Sequence, residues 1–348
     1  MPPPKLDRRR FAALAAAAVA VPAARLLRAQ LKVEKPRVTI ACGGKAAFYY
    51  LPLTIAEQLG FFQAEGVDVE VTDHAGGTPA LQAALAGQAD VVSGAYEHTI
   101  NLQSRNQHFQ SFVVQGRAPQ IAMGVSAKTM PGYRNIGELR GKRIGITAPG
   151  SSTNMVAALV LARGGLKAAD VSFVGVGNSA SALTALRTGQ VDAICNTDPV
   201  MTMLEQKGEV RIISDTRTLK GTQEVFGGPM PAACLYASME FVDRNPATCQ
   251  ALTNAIVHSL KWLQTAGPSD LIKAVPEAYL LGDRALYLAS FNKVHEAISV
   301  DGILPEEGAR TALKAIASFE PALKPEKIAL AKTYTNDFAR RAKQKFKA

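Results

Sequence analysis

A hydroxyl-rich loop is the segment whose residue types best suit ligand binding. Gly150, Ser151, Ser152 and Thr153 stand between an apolar, strand-like run and a helical stretch. In that position, free backbone N–H groups and hydroxyls converge at a helix N-terminus, which carries partial positive charge. The loop therefore predicts an anion-binding site, and the alternative is an ordinary Ser/Thr helix cap that binds nothing.

A glycine pair marks a second candidate loop. Gly76 and Gly77 precede Thr78 and Pro79 at the start of another helical stretch. Two glycines let a backbone approach a ligand closely, and proline suits the first turn of a helix. We place this loop at the position of the first lobe that corresponds to 150–153, with a tight turn without a ligand as the alternative.

Aromatic residues follow a turn at Gly44. Three consecutive side chains, Phe48, Tyr49 and Tyr50, cannot share one face, so at least one of them belongs to the core. Tyr49 or Tyr50 could line a pocket and donate a hydrogen bond. Lys45 could pair with an anion or stay solvated.

Polar residues at strand ends complete the candidate set. Ala95 ends one strand, and Asn196 and Asp198 follow another, where Asp198 suits a helix cap better than a ligand contact. The roles of Glu97 and His98 stay open. A carboxylate in the cleft would favour a ligand that bears an amine, and one in solvent would carry no such meaning.

Alternating strands and helices must position these loops. Short strand-like runs are each followed by a helical run, an order that indicates parallel α/β layers. In open α/β sheets, ligands bind at the carboxyl ends of the parallel strands, which is where the candidate loops stand. The strand-like runs lie at 37–41, 67–71, 91–92, 143–147, 171–176 and 193–195.

The chain contains an internal duplication. Residues 80–90 align with residues 182–192, and in both a small-residue helix ends at a glycine, Gly87 or Gly189. Glycine adopts the left-handed conformation that a helix C-terminus needs. In both copies Gln-x-Asp then leads into a short strand. Two similar units in one chain predict two lobes.

Apolar runs at 120–126 and 232–237 are candidate connections between the lobes. We expect a hinge near 126–129 and 227–232. Beyond Pro246 the pattern is helical, at 248–264, 268–281, 284–297, 305–318 and 325–343. The resulting division is 30–127 for the first part of lobe one, 128–230 for lobe two, and 231–348 for the return to lobe one with added C-terminal helices.

Residues 1–29 have the features of an export signal. A basic start precedes an apolar run at 11–24, which is too short for a membrane span and suits a signal peptide. Residues 7–12 resemble a twin-arginine signal, although Asp7 and Ala12 depart from its pattern. An ordinary Sec signal is the alternative, and either one predicts a periplasmic protein.

Charge and cysteine spacing exclude other classes. The formal charge is +10, but residues 1–29 hold six basic residues and one acidic residue, which is half of it. The rest gives no reason to expect nucleic acid as a partner. No two of the four cysteines are spaced for a structural zinc site, and their pairing stays open. Neither glycine-rich loop has nucleotide-binding spacing, so no cofactor is expected.

Four segments together resemble the solute-binding proteins of nitrate/sulfonate/bicarbonate-type ABC transporters. They lie at 56–69, 85–90, 139–145 and 185–193, in matching order and spacing. The resemblance implies the type II periplasmic-binding-protein fold, an α/β protein of two lobes with a ligand cleft between them. It also implies a monomer that captures a small anionic organic solute (sulfonate, taurine-like, nitrate-like or carboxylate) by hinge closure and delivers it to a permease in the cytoplasmic membrane.

Other proteins of the same fold keep alternatives open. Thiamine-pyrimidine receptors and sensory binding proteins share these features. A sulfinate desulfinase of similar fold uses a nucleophilic cysteine near the first strand end, which would be Cys42. Its Arg-x-Gly-Gly segment has His74 in place of arginine here, so we expect a binding protein and not an enzyme.

Overall fold

The computed structural model describes residues 32–348. The export signal predicted at 1–29 lies outside the described residues. Among the described residues, no helix combines the length and the apolar character needed to cross a membrane.

Within residues 32–348, ten strands form two five-stranded sheets of the same design. The first sheet has the order β2-β1-β3-β10-β4 and the second the order β7-β6-β8-β5-β9. In each, three parallel strands are followed by one antiparallel strand and an edge strand. The strands are β1 (Arg37–Cys42), β2 (Asp68–Asp73), β3 (Val91–Ala95), β4 (Phe109–Val114), β5 (Ile121–Ser126), β6 (Arg143–Ile146), β7 (Ser172–Gly175), β8 (Ala193–Thr197), β9 (Val210–Asp215) and β10 (Ala233–Ser238).

The chain passes between the sheets twice. The first connection is 115–120 and the second is 216–232, and they run side by side. The N–H of Ala232 donates to the carbonyl of Gly116 at 2.9 Å, and the N–H of Gln120 donates to the carbonyl of Thr216 at 3.1 Å. The strand at 121–126, which the sequence interpretation assigned to the first lobe, pairs with β8 and β9 of the second sheet. The connecting segment therefore lies before residue 121 and not near 126–129.

Fourteen α-helices are found in the described residues. They are α1 (Leu51–Gln58), α2 (Phe61–Ala64), α3 (Gly77–Leu85), α4 (Glu97–Ser104), α5 (Ser152–Arg163), α6 (Ala180–Thr188), α7 (Val200–Gln206), α8 (Leu219–Phe226), α9 (Met239–Arg244), α10 (Pro246–Thr265), α11 (Pro268–Ala274), α12 (Arg284–Val294), α13 (Glu306–Phe319) and α14 (Asp337–Phe346). The predicted helix at 325–343 is wrong in its first part, because 325–336 holds only two short 3₁₀ turns before α14 begins.

Both faces of each sheet are covered by helices. Successive side chains of a strand point to opposite faces, so Ile40 joins the core beneath α10 while Ala41 joins the core beneath α3 and α13. In the second sheet, Ile144 and Ile146 pack against α5. The C-terminal helices complete the first half, and two of them also reach the second, since α12 contacts α7 and α13 contacts α5.

Candidate functional site

A cavity lies between the carboxyl ends of the parallel strands of the two sheets. Both halves contribute to its wall, with loops after β1, β2, β3, β6 and β7, the start of β5 and the end of β8. This is the edge at which open α/β sheets bind ligands. The lining residues are Gly43, Tyr49, Tyr50, Gly77, Ala95, His98, Ile121, Thr147, Ser151, Ser152, Thr153, Asn178 and Thr197.

The two walls are in hydrogen-bonded contact. The N–H of Thr78 donates to Oγ of Ser151 at 3.1 Å, and the two side-chain hydroxyls lie 3.2 Å apart. The side-chain amide of Asn178 donates to the carbonyl of Gly43 at 2.9 Å. These bonds join residues of different sheets, so the structure is in a closed arrangement.

The cavity is small in this arrangement. Its volume is about 30 Å³. A buried water needs roughly 10–15 Å³ by the same measure, so the space suits two or three water-sized groups. A solute of more than a few heavy atoms therefore requires the walls to move apart.

The start of α5 supplies hydrogen-bond donors to the cavity. Within the part of the chain that the structure describes, the N–H groups of Ser152 and Thr153 have no acceptor, as expected in the first turn of a helix. α5 is 12 residues long, and its dipole adds positive potential at this end. Two free donors and a favourable potential meet where the cavity lies.

The three hydroxyl residues of this loop have different partners. The hydroxyl of Ser151 contacts Thr78 of the opposite half, and Oγ1 of Thr153 accepts from the N–H of Thr147 at 3.0 Å. Only Ser152 has no hydrogen bond of standard geometry, although its hydroxyl stands near the side chains of Tyr49 and Glu97. Of the three, Ser152 is the hydroxyl that is free to contact a solute.

Close backbone approach explains two of the glycines. A Cβ on Gly44 would lie 2.1 Å from Oδ1 of Asn178, and one on Gly76 would lie 2.9 Å from the Cβ of Ala148. Gly44 also has a φ of +106°, which L-residues rarely adopt. Both glycines thus permit the contact between the two halves rather than line the cavity itself.

The aromatic run divides between core and cavity. Phe48 packs on Tyr287 with ring centroids 4.4 Å apart, whereas Tyr49 and Tyr50 line the cavity. The hydroxyl of Tyr49 is buried without a hydrogen-bond partner, and so is Oγ1 of Thr197 across the cavity. Buried polar atoms are nearly always paired, so these two indicate where a solute would be held.

Among residues 32–348, no Lys or Arg lines the cavity, so the charged residues near it offer it no free cation. Lys45 pairs with Glu57 at 2.8 Å and does not line the cavity. Burial lowers the pKa of His98 to about 4, which leaves the ring neutral at pH 7, and its Nδ1 lies 3.0 Å from the hydroxyl of Tyr236. Burial raises the pKa of Glu97. A negative group in the cavity would therefore be held by dipoles and not by a Lys or Arg.

Burial of His98 predicts a pH dependence of stability. In the unfolded chain the imidazole of His98 takes up a proton below its ordinary pKa of 6.5. In the folded chain the same imidazole does so only near pH 4. The free energy of unfolding should therefore fall by about 3 kcal/mol as the pH drops from 7 to 4 and then level off. The free energy of unfolding is measured with denaturant at several pH values for wild type and His98→Asn. The difference between the two pH profiles isolates the effect of His98, because Glu97 is present in both proteins. Parallel pH profiles for the two proteins would contradict it.

The structure separates the predicted site residues into groups. Seven line the cavity, and Gly44, Gly76, Thr78 and Gly150 form the contact between the halves beside it. Asn196 and Asp198 form hydrogen bonds with the backbone. Nδ2 of Asn196 donates to the carbonyl of Gly177, and Oδ1 of Asp198 accepts from the N–H of Thr202. The seven cavity residues are Tyr49, Tyr50, Gly77, Ala95, Ser151, Ser152 and Thr153.

The equivalence proposed between the loops at 76–78 and 150–153 is wrong. The first follows β2 and the second follows β6, but the matching strands of the two sheets are β2 with β7 and β1 with β6. The counterpart of 76–78 is the loop after β7, which contains Asn178. Sequence reasoning missed Asn178, and the alignment of 80–90 with 182–192 was the signal that could have found it.

The comparisons with known proteins agree with this architecture. The chain belongs to the NMT1/THI5-like family, whose model matches residues 47–267. A solved protein from Bordetella bronchiseptica RB50 is 59% identical, with 91% of this chain and 100% of that chain covered and a TM-score of 0.90.

Two solved binding proteins share the fold at lower identity. The alkanesulfonate-binding protein SsuA from Xanthomonas axonopodis pv. citri, bound to MOPS, is 17% identical over 87% of this chain and 99% of that chain, with a TM-score of 0.67. The periplasmic nitrate-binding protein NrtA from Synechocystis PCC 6803 is 16% identical over 90% and 89%, also with a TM-score of 0.67. The predicted family and periplasmic-binding-protein fold are confirmed.

An enzyme also has this fold. The desulfurization enzyme DszB is 16% identical over 89% of this chain and 99% of that chain, with a TM-score of 0.56. Fold alone therefore does not separate binding from catalysis. In this chain Cys42 is fully buried and does not line the cavity, and burial together with Asp73 raises the pKa of its thiol. A thiol in that state is a poor nucleophile.

Proposed function

We propose that this chain is the solute-binding component of an ABC importer. It captures a small organic solute with an anionic group in the cavity between its two halves. It acts as a periplasmic monomer and delivers the solute to a permease in the cytoplasmic membrane. The names of the related sulfonate- and nitrate-binding proteins support the anionic class.

One observation carries the proposal. Unpartnered donors from both halves face a single closed cavity: the N–H groups of Ser152 and Thr153 and the hydroxyl of Ser152 from one side, and the hydroxyl of Tyr49 from the other. A negative oxygen placed among them would gain several hydrogen bonds at once. Since both halves contribute, the solute favours the closed arrangement over the open one.

A thermal-shift screen tests the proposal. The purified protein is heated with sulfonates, nitrate, small carboxylates and pyrimidines in separate wells. We expect at least one small anion to raise the Tm, because a ligand that binds only the folded state stabilises it by mass action. No increase with any anion would contradict the anionic class, and an increase with pyrimidines alone would replace it.

Ser152→Ala tests whether the hydroxyl of Ser152 contacts the solute, in contrast to the hydroxyls of Ser151 and Thr153, which form hydrogen bonds within the protein. We expect solute affinity to fall about 10-fold, the usual cost of one lost hydrogen bond to a charged group, while the Tm of the unliganded protein stays unchanged. Ser318→Ala, on the exposed face of α13, is the matched control. Calorimetric titration measures both variants, and equal affinities for the two would remove Ser152 from the site.

A further inference from the structure

A second cavity lies directly beside the solute cavity. Its volume is about 150 Å³, against about 30 Å³ for the solute cavity. Its wall is formed by α3, α4 and the residues just after α4, together with Glu320, which follows α13, and Gly150 of the opposite half. Like the solute cavity, it is therefore bounded by both halves of the molecule.

A thin wall separates the two cavities. Gly77 lines the solute cavity and its neighbour Thr78 lines the second one, and Ser151 and Gly150 divide in the same way. His98 lines both cavities. The hydrogen bonds between Thr78 and Ser151 hold this wall together, and both use Oγ of Ser151. A change of rotamer at that one side chain would release both bonds.

The size of the solute cavity limits how much of an organic solute it can hold. A volume of about 30 Å³ accepts two or three water-sized groups, which matches one anionic group such as a carboxylate. The remainder of the solute needs space beyond the donors at the start of α5. The second cavity adjoins that site, and about 150 Å³ gives room for roughly ten further groups of that size.

The second cavity combines an apolar surface with a cation. Leu81 and Leu85 of α3 and Leu102 of α4 supply the apolar surface. Arg105, just after α4, is exposed, lines the same cavity and takes part in none of the ion pairs of residues 32–348. A guanidinium binds a carboxylate or sulfonate through two parallel hydrogen bonds. Glu320 also lines the cavity and forms no ion pair with Arg105, so it does not neutralise that cation by direct contact.

We propose that the solute is an elongated dianion, with one anionic group at the start of α5 and the other on Arg105. Its apolar middle part passes between Thr78 and Ser151 and lies against the leucines of the second cavity. This inference rests on the proposed function and names the solute class of the same site. It makes Arg105 a residue that determines specificity, because Arg105 contacts only the far end of the solute.

Matched pairs of ligands test the proposal by calorimetric titration at pH 7.5. Adipate is compared with hexanoate, and suberate with octanoate, so that the members of each pair differ only in the far carboxylate. We expect wild type to bind the diacid at least about 10-fold more tightly, as is typical of hydrogen bonds to a charged group. Arg105→Met should abolish that preference by weakening the diacid and leave the affinity for the monoacid unchanged.

Two further variants serve as controls. Arg244→Met removes an exposed arginine of α9 that lines neither cavity, and it should leave every affinity at its wild-type value. Glu320→Gln removes a negative charge from the second cavity, so the diacid should bind more tightly and the monoacid should be less affected. Because Arg105 is exposed, Arg105→Met should leave the Tm of the unliganded protein unchanged.

The possible failures are distinguishable. If wild type binds both members of each pair equally, or Arg105→Met keeps the preference for the diacid, the dianion proposal is overturned while anion binding stands. The same holds if wild type binds no member of either pair but a compact anion raises the Tm in the screen. If no member binds and no anion raises the Tm, the proposed function fails and takes this inference with it.

Discussion

Replacing Gly44 with alanine is expected to weaken solute binding about 100-fold. The new Cβ would lie 2.1 Å from Oδ1 of Asn178, on the opposite side of the cleft. Asn178 cannot move away without breaking its hydrogen bond to the carbonyl of Gly43. Overpacking and one lost hydrogen bond together cost about 2–4 kcal/mol, and this cost falls on the closed state alone.

A matched control separates closure from backbone strain. Gly87 also has a positive φ, at +74°, but no atom lies within 4 Å of a Cβ added there. Gly87→Ala should therefore lower the stability by about 1 kcal/mol and leave solute affinity unchanged. Calorimetric titration of both variants with a solute that binds wild type decides the matter. Equal affinities for Gly44→Ala and Gly87→Ala would show that the contact with Asn178 does not control binding.

The Arg217→Met variant is expected to lose about 3–5 kcal/mol of unfolding free energy. Arg217 follows β9, where the chain leaves the second sheet, and is 2% exposed. Its guanidinium lies 2.6 Å from Asp215, 3.0 Å from Glu205 and 3.5 Å from Asp198, and also donates to Thr202 at 3.1 Å. Removal of the cation leaves Asp198 buried without a compensating charge.

This network also ties the C-terminal helices to the second half. Glu205, on α7, accepts a hydrogen bond from Lys293, on α12, at 2.6 Å. An exposed pair provides the control, since Arg37 lies 3.9 Å from Asp68 with both side chains largely in solvent. Arg37→Met should change the stability by no more than about 0.5 kcal/mol. Denaturant unfolding measures both variants, and a similar small loss in each would show that the buried network has no net stabilising effect.

The fold could be predicted largely because it repeats a simple pattern. Strand–helix alternation and the glycines just beyond α3 and α6, Gly87 and Gly189, indicate two similar α/β units from the sequence alone. The pairing of the antiparallel strands could not be predicted in the same way. An apolar run such as β5 is compatible with either sheet, and only its hydrogen bonds to β8 and β9 decide which one it joins.

The candidate site was partly predictable for a similar reason. Loops at the carboxyl ends of parallel strands include Tyr49, Tyr50 and Ser152, and these line the cavity, although their part in binding stays a prediction. The alignment of 80–90 with 182–192 could have indicated Asn178. Its contact with Gly43 depends on how the two halves come together, and a sequence pattern contains no information about that relative position. Asn196 was predicted as a site residue from its polar character alone, but its side-chain amide donates a hydrogen bond to the backbone carbonyl of Gly177.

Hydrogen exchange followed by mass spectrometry tests the central claim most directly, that a solute is held between the two halves. The protein is compared with and without the anion that raises the Tm most in the screen. We expect slower amide exchange in peptides from both walls, at 43–50 and 76–81 in one half and at 147–154 and 176–179 in the other. Protection confined to one half, or located away from these loops, would contradict the account.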